Sequence, residues 1–195
     1  MREVWVATSN AGKLKEFRNL LIPHNIQVKS NLDVPNYASP PELGSTFTDN
    51  ARIKAKSLHA VKSSAWVLAD DSGLEVEGLG GLPGIHSARY AGPKARDSEN
   101  VAKLLKMMQI RSPKNRQARF VCVLVLISPE GKEHIIEGLV EGNISEKAQG
   151  QGGFGYDPVF IPKGETKSFA ELDSGVKNKI SHRAQAFRKL LEVLK

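Results

Sequence analysis

The chain has 195 residues, 40% of them hydrophobic and 25% charged, with a formal net charge of +7. That length can bury a large core in one large domain or two tightly joined lobes, and one folding unit is expected. The longest apolar run, Phe120 to Ile127, is too short for a bilayer, and the N-terminus has no basic segment leading into an apolar one, so neither a membrane span nor a signal peptide is expected. The positive balance points to an anionic partner, but the basic residues alternate with acidic ones, which favours a small polyanion over nucleic acid. A single cysteine, Cys122, cannot form an internal disulfide and suits the cytoplasm.

Glu3 to Thr8 reads as a buried strand, and Leu14, Phe17, Leu20 and Leu21 then recur at helical spacing. Phe47, Ala51, Ala55, Leu58 and Val61 mark a second amphipathic helix, which Ser45 or Thr46 can cap. It feeds the apolar run Ala65 to Ala69, which stops at Asp70-Asp71, where Ser72-Gly73 predicts a turn before another strand at Leu74 to Leu79. Gly80 to Gly92 is too rich in glycine and proline for regular structure and reads as an ordered loop, and Val101, Leu104, Leu105 and Met108 form the next helical stripe. Gln117 to Ser128 and Glu133 to Glu141 flank Pro129-Glu130-Gly131-Lys132, a hairpin connection, so the sheet is mixed. Glycine-rich Gly150 to Asp157, a short strand at Pro158 to Ile161 and a last helix complete the chain.

Four segments can carry chemistry. Asp70 and Asp71 stand at a strand end, where α/β proteins bind ligands, and hard divalent ions take one or two carboxylates; Glu42 is a further oxygen donor for such a site, or a surface glutamate. Thr8-Ser9-Asn10-Ala11-Gly12-Lys13 joins the first strand to the first helix, either as a phosphate site with Lys13 as a mobile charge or as an ordinary cap with Lys13 solvated. It is not a Walker loop, because the first glycine of that motif is absent and Leu14 follows Lys13. In Gly150 to Asp157, aromatics sit among glycines, as a base-stacking platform or as a turn whose Phe154 and Tyr156 fill a core edge. Lys177, His182 and Arg183 would face three ways on one helix turning ~100° per residue. Ser181 therefore reads as the cap of the last helix, with His182 and Arg183 in its first turn and Lys177 in the preceding loop; the alternative is a solvated basic helix start.

In order, the motifs Thr-Ser-Asn-Ala-Gly-Lys (8 to 13), Ala-Asp-Asp-Ser-Gly-Leu (69 to 74), Pro-Gly-Ile-His-Ser-Ala-Arg-Tyr (83 to 90), Gly-Gly-Phe-Gly-Tyr-Asp-Pro (152 to 158) and Ile-Ser-His-Arg (180 to 183) resemble those of the inosine triphosphate pyrophosphatases, above all bacterial members. The resemblance implies an elongated two-lobed α/β fold around a central mixed sheet, a nucleotide cleft between the lobes, and a homodimer. It also implies Mg2+-dependent hydrolysis of non-standard purine nucleoside triphosphates (dITP, ITP, XTP) to the monophosphate and pyrophosphate. By position, Asp71 would be general base and metal ligand, supported by Asp70, with Glu42 as second metal ligand and Ser72 touching substrate. Thr8, Ser9, Asn10, Ala11, Gly12 and Lys13 would hold the triphosphate, with Ser9 standing where the family commonly has glycine. Phe154, Gly155, Tyr156 and Asp157 would cradle base and sugar, Lys177 would contact substrate, and His182 with Arg183 would read the purine 6-oxo edge.

A non-catalytic nucleotide-binding module, a pyrophosphatase preferring pyrimidine triphosphates and a nucleic-acid-binding protein are the competing functions. The scattered charge disfavours the last, and the pairing of Phe154 with Arg183 favours purines over pyrimidines.

Overall fold

The computed structural model describes residues 2–194. Six strands form one sheet in the order β2-β1-β3-β4-β5-β6, with β1 at Arg2–Ala7, β2 at Ile26–Ser30, β3 at Trp66–Val76, β4 at Gln117–Ile127, β5 at Glu133–Ile144 and β6 at Phe160–Pro162. The helices are α1 (Ala11–Leu21), α2 (Phe47–Val61), α3 (Asp97–Arg111), α4 (Ser174–Ile180) and α5 (His182–Leu194). β1 pairs in parallel with β2 and β3, the outcome when a helix lies between successive strands, whereas β5 and β6 are antiparallel, so the sheet is mixed as expected. Among the described residues no helix is long and apolar enough to cross a membrane.

Two compact units share the chain. The first comprises the chain up to Asp71, Cys122–Gly138 and the chain from Ala186; the second comprises Ser72–Val121 and Leu139–Gln185. In the first, Val4 and Val6 of β1, Leu68 of β3 and Leu124 and Leu126 of β4 pack with Phe17 and Leu21 of α1 and Phe187 and Leu190 of α5. Val4 to Ala7 and Val67 to Asp71 are buried without a break, the mark of parallel strands covered on both faces. In the second, Leu74, Val76, Phe120 and Ile144 pack with Leu104 and Met108 of α3 and with Tyr156, Phe160 and Phe169.

Several expectations are corrected. No turn follows Asp71: β3 runs on through Ser72 and Gly73 to Val76, and Glu77–Leu79 is a 3-10 turn rather than strand. The strand can continue because both aspartates find cationic partners inside the fold and need not leave it for water. β2 is a strand that apolar patterning did not signal, since Ile26 and Val28 are its only apolar residues. The buried stripe of α2 ends at Leu58; Val61, the last residue of the helix, is 54% exposed. Pro158 belongs to a 3-10 turn, and the last strand begins at Phe160. The loop after β3 contains a 3-10 helix, Gly84–Arg89, with Ser87 buried.

Of the two candidate caps for α2, Thr46 is the one used: its side chain accepts the Asp49 N–H at 3.0 Å. Thr46→Ala should cost about 1 kcal/mol of stability, read as a lower urea midpoint at unchanged slope.

Candidate active site

Successive side chains of a strand leave opposite faces, so Asp70 and Asp71 cannot act as one pair. Each meets its own cation. Asp70, with a fully buried side chain, is ion-paired with Lys13 Nζ from the first turn of α1 and accepts a hydrogen bond from Cys122 Sγ at 3.1 Å. Asp71 accepts from Lys54 Nζ of α2 at 3.0 Å, and the same ammonium donates to Glu42 Oε1 at 2.9 Å. Two carboxylates, from β3 and from the Pro-rich segment before α2, thus converge on one cation.

Asn50, fully buried one turn before Lys54, joins the same two elements: its amide donates to Asp71 Oδ2 at 3.4 Å and its carbonyl oxygen accepts the Gly44 N–H at 2.8 Å. Glycine is required at position 44 by this close approach, since a Cβ there would lie 2.7 Å from Asn50 Oδ1. Lys54 and Asn50 carry no recognised motif. Their signal was their spacing: positions 47, 50, 51, 54, 55 and 58 share one helix face, and two polar residues on a buried face need partners.

Opposing effects act on this cluster. Burial raises the pKa of Asp71, the charges of Lys54 and Lys13 pull it down, Glu42 pushes it up again, and the net shift is upward. For Lys54, burial favours loss of the proton, but Asp71, Glu42 and Asp70 outweigh it and hold the ammonium charged.

In the Thr8–Lys13 turn, Asn10 caps α1 by accepting the Lys13 N–H at 2.9 Å, and Thr8 Oγ1 accepts the Asn10 N–H at 3.2 Å. The cap reading therefore holds, yet Lys13 is neither solvated nor mobile, because Asp70 fixes its ammonium. Ala11 and Gly12 lie in the first turn of α1, where helix N–H groups have no intrahelical acceptor. Ser9 is tied to a neighbour: its hydroxyl accepts from the Asn31 amide at 3.1 Å. Among the described residues no three His, Cys, Asp or Glu side chains gather as a metal cluster, and the two acids expected as metal ligands, Glu42 and Asp71, converge on the Lys54 ammonium.

The second unit assembles a different group. Ser181 ends α4 and caps α5, its hydroxyl accepting the Ala184 N–H at 3.1 Å, so the helix breaks where expected. Lys177 is not in a loop, however; it sits buried on α4 with its ammonium 2.5 Å from Asp157 and 4.8 Å from the centre of the Phe154 ring. Arg183 is 1% exposed, donates to Ser72 Oγ at 3.0 Å, and lies 5.9 Å from the same ring. His182, also buried, stacks on Phe120 at 4.8 Å. A solvated basic helix start is thereby excluded.

The two aromatics of the glycine-rich loop have different fates. Phe154 is half-buried beside two cations, whereas Tyr156 is turned into the core with its hydroxyl donating to the Ser87 carbonyl at 2.8 Å. Burial first, then the charges of Tyr90 and Asp97, push the Tyr156 pKa far above that of a free phenol. Of the two, only Phe154 is partly exposed.

A Ham1 family model matches residues 4–193. The chain belongs to the Ham1 family. It is 55% identical to a dITP/XTP pyrophosphatase of Bdellovibrio bacteriovorus, over 98% of this chain and 97% of the relative. It is 45% identical to one of Bacillus subtilis, over 100% and 98%. A Ham1 protein from Coxiella burnetii has a matching structure with a TM-score of 0.88 at 38% identity, covering 100% of this chain and 98% of that one. The fold expected from the motifs is therefore that of the family.

Because the fold raises the Asp71 pKa, it favours the protonated carboxyl. The group's contribution to stability is complete at low pH and is lost as pH rises through a value above the ordinary 3.8. The melting temperature of Asp71→Asn relative to wild type, in metal-chelated buffer, should therefore rise between about pH 4 and about pH 7.5 in paired thermal scans.

Proposed function

We propose that this chain hydrolyses the non-standard purine nucleoside triphosphates dITP, ITP and XTP to the nucleoside monophosphate and pyrophosphate. The observation that carries the reading is the convergence of Glu42 and Asp71 on one cation, beside the Lys13–Asp70 pair, in a member of a family whose relatives are named for this reaction.

Glu42 and Asp71 are hard oxygen donors that already hold a positive charge between them, a donor set that fits Mg2+. Bound there, the ion supplies charge neutralisation at the phosphate oxygens. Lys54 keeps the two acids converged. Lys13 and the first-turn N–H groups of α1 bind the triphosphate, with Asp70 holding Lys13 in place rather than leaving it to search. Asp71 orients the attacking water or takes its proton on a carboxylate oxygen, as the water oxygen bonds to the α-phosphorus and the bond from that phosphorus to the leaving pyrophosphate breaks.

Base recognition falls to Phe154, Arg183 and His182. Phe154 stacks on the purine, and Arg183 and His182 present donors to a 6-oxo group. Arginine has no acceptor, so the 6-amino group of adenine meets donor with donor, at about 1 to 3 kcal/mol for each mismatched buried bond. The buried thiol of Cys122 accords with a reducing cytoplasm, and a homodimer completes the proposal.

A nucleotide panel run with and without Mg2+, resolving pyrophosphate from orthophosphate, tests the reading. The inosine and xanthosine triphosphates should release pyrophosphate directly, dATP should be about tenfold or more poorer in kcat/KM, and chelation should abolish turnover. Orthophosphate as first product would overturn it. Asp71→Asn should lose about 100-fold or more in kcat while staying folded.

A further inference from the structure

Phe154 is flanked by two peptide N–H groups, its own and that of Gly155, and a carboxylate holds each. Asp157 Oδ2 accepts the Phe154 N–H at 2.9 Å, three residues along the chain. Asp97 Oδ2 accepts the Gly155 N–H at 2.6 Å, across 58 residues, from the first residue of α3. Asp157 is buried and paired with Lys177. Asp97 is exposed, lies in none of the sequence motifs, and puts an acidic charge in the first turn of its helix.

The direction in which an aromatic ring leaves the backbone is set by the two peptide planes on either side of its Cα. The Asp157 bond fixes the plane before Phe154, and the Asp97 bond fixes the plane after it. The second plane is the one at risk, because Gly155 has φ +61°, a left-handed conformation that only glycine enters freely and leaves as freely. The ring's contacts with Lys177 and Arg183 are cation–π approaches at 4.8 and 5.9 Å, which tolerate tilt and do not fix the ring. A charged acceptor on a helix start supplies the missing constraint, since a short charge-assisted bond is stronger than a neutral one.

We infer that Asp97 is a positioning residue for base selection: by holding the Gly155 amide it fixes the plane of the Phe154 ring against which the purine stacks, and so its alignment with the donors of Arg183. This rests on the reading of Phe154 as the base seat. Asp97 touches neither phosphate nor water in that reading, so its loss acts on substrate affinity and on discrimination, not on the chemical step.

The test compares the wild type with Asp97→Ala, Asp97→Asn, Glu99→Gln and Phe154→Ala in steady-state kinetics with dITP and dATP. Asp97→Ala should raise KM for dITP about tenfold, leave kcat within about twofold, and lower the dITP-to-dATP ratio of kcat/KM by about threefold or more. Asp97→Asn keeps an acceptor oxygen and should recover most of both losses. Glu99→Gln removes another first-turn charge, which caps Arg96 at 2.7 Å and does not reach the loop, and should change neither. The inference is overturned if Asp97→Ala leaves KM and the ratio within about twofold of wild type, or if Asp97→Asn or Glu99→Gln matches it, since the helix-start charge would then account for the effect. Phe154→Ala separates the two levels: if it changes neither KM nor the ratio, the base seat itself is wrong, whereas if it changes both and Asp97→Ala changes neither, only Asp97 is wrong. Should Asp97→Ala not fold, amide exchange in the wild type decides, with the Gly155 N–H expected to be protected about tenfold or more and an unprotected amide counting against the bond.

Discussion

Because consecutive residues of β3 point to opposite faces, the fold must neutralise two buried carboxylates separately, and the whole arrangement of the first unit follows from this requirement. A buried charge without a partner costs far more than the marginal stability of a domain can absorb. Asp70 is answered by Lys13 at the start of α1, and Asp71 by Lys54 in the middle of α2. Each lysine therefore has its position dictated by a carboxylate, and each helix start or helix face is registered against the strand by an ion pair as well as by packing. Asn50 extends the constraint by bonding Asp71 and the Gly44 amide at once, which brings the segment carrying Glu42 to the same ammonium. The result is a set of charges already desolvated and oriented before any phosphate arrives, the condition under which electrostatic catalysis is most effective.

Such a site conflicts with the stability of the fold that builds it. The upward shift of Asp71 means that Lys54 and Lys13 do not fully offset its burial, so the charged form is held at a cost. A neutral isostere would remove that cost but would also take from Lys54 the charge that does most to keep its ammonium protonated. Strain of this kind is common where function sets the residue rather than packing.

Periodicity made the parallel β1 and β3, the hairpin of β4 and β5 and helices α1, α2, α3 and α5 legible, because their apolar residues recur with the period of the element they form. Ser181 was legible too, since Lys177, His182 and Arg183 could not share one helix face. The sequence misled at Asp70-Asp71-Ser72-Gly73, where turn-forming residues lie inside a strand. Local turn propensity there is overridden by partners 17 and 57 residues away, which no local pattern reveals. Lys54 was missed for the related reason that a lysine on a helix reads as solvated until a carboxylate is known to face it. Tyr156 and Phe154, two residues apart among glycines, read alike; only the fold shows that one is bonded to Ser87 in the core and the other is left half-buried beside two cations.

That difference bears on how the base recognition proposed for Phe154 and Arg183 could be selective without rigidity throughout. Arg183 donates to Ser72 and is almost fully buried, so its guanidinium has little freedom to turn towards an ill-matched partner. Lys177 is similarly occupied by Asp157. The donors are thus fixed by other side chains, and the stacking ring is fixed through its backbone by carboxylates on both sides. Donors that cannot rotate to suit adenine pay the full penalty of an unmatched buried hydrogen bond, whereas flexible ones would relax and accept it. Under the proposed function, discrimination against a 6-amino group would therefore depend on the rigidity of residues that never touch the base as much as on the groups that do.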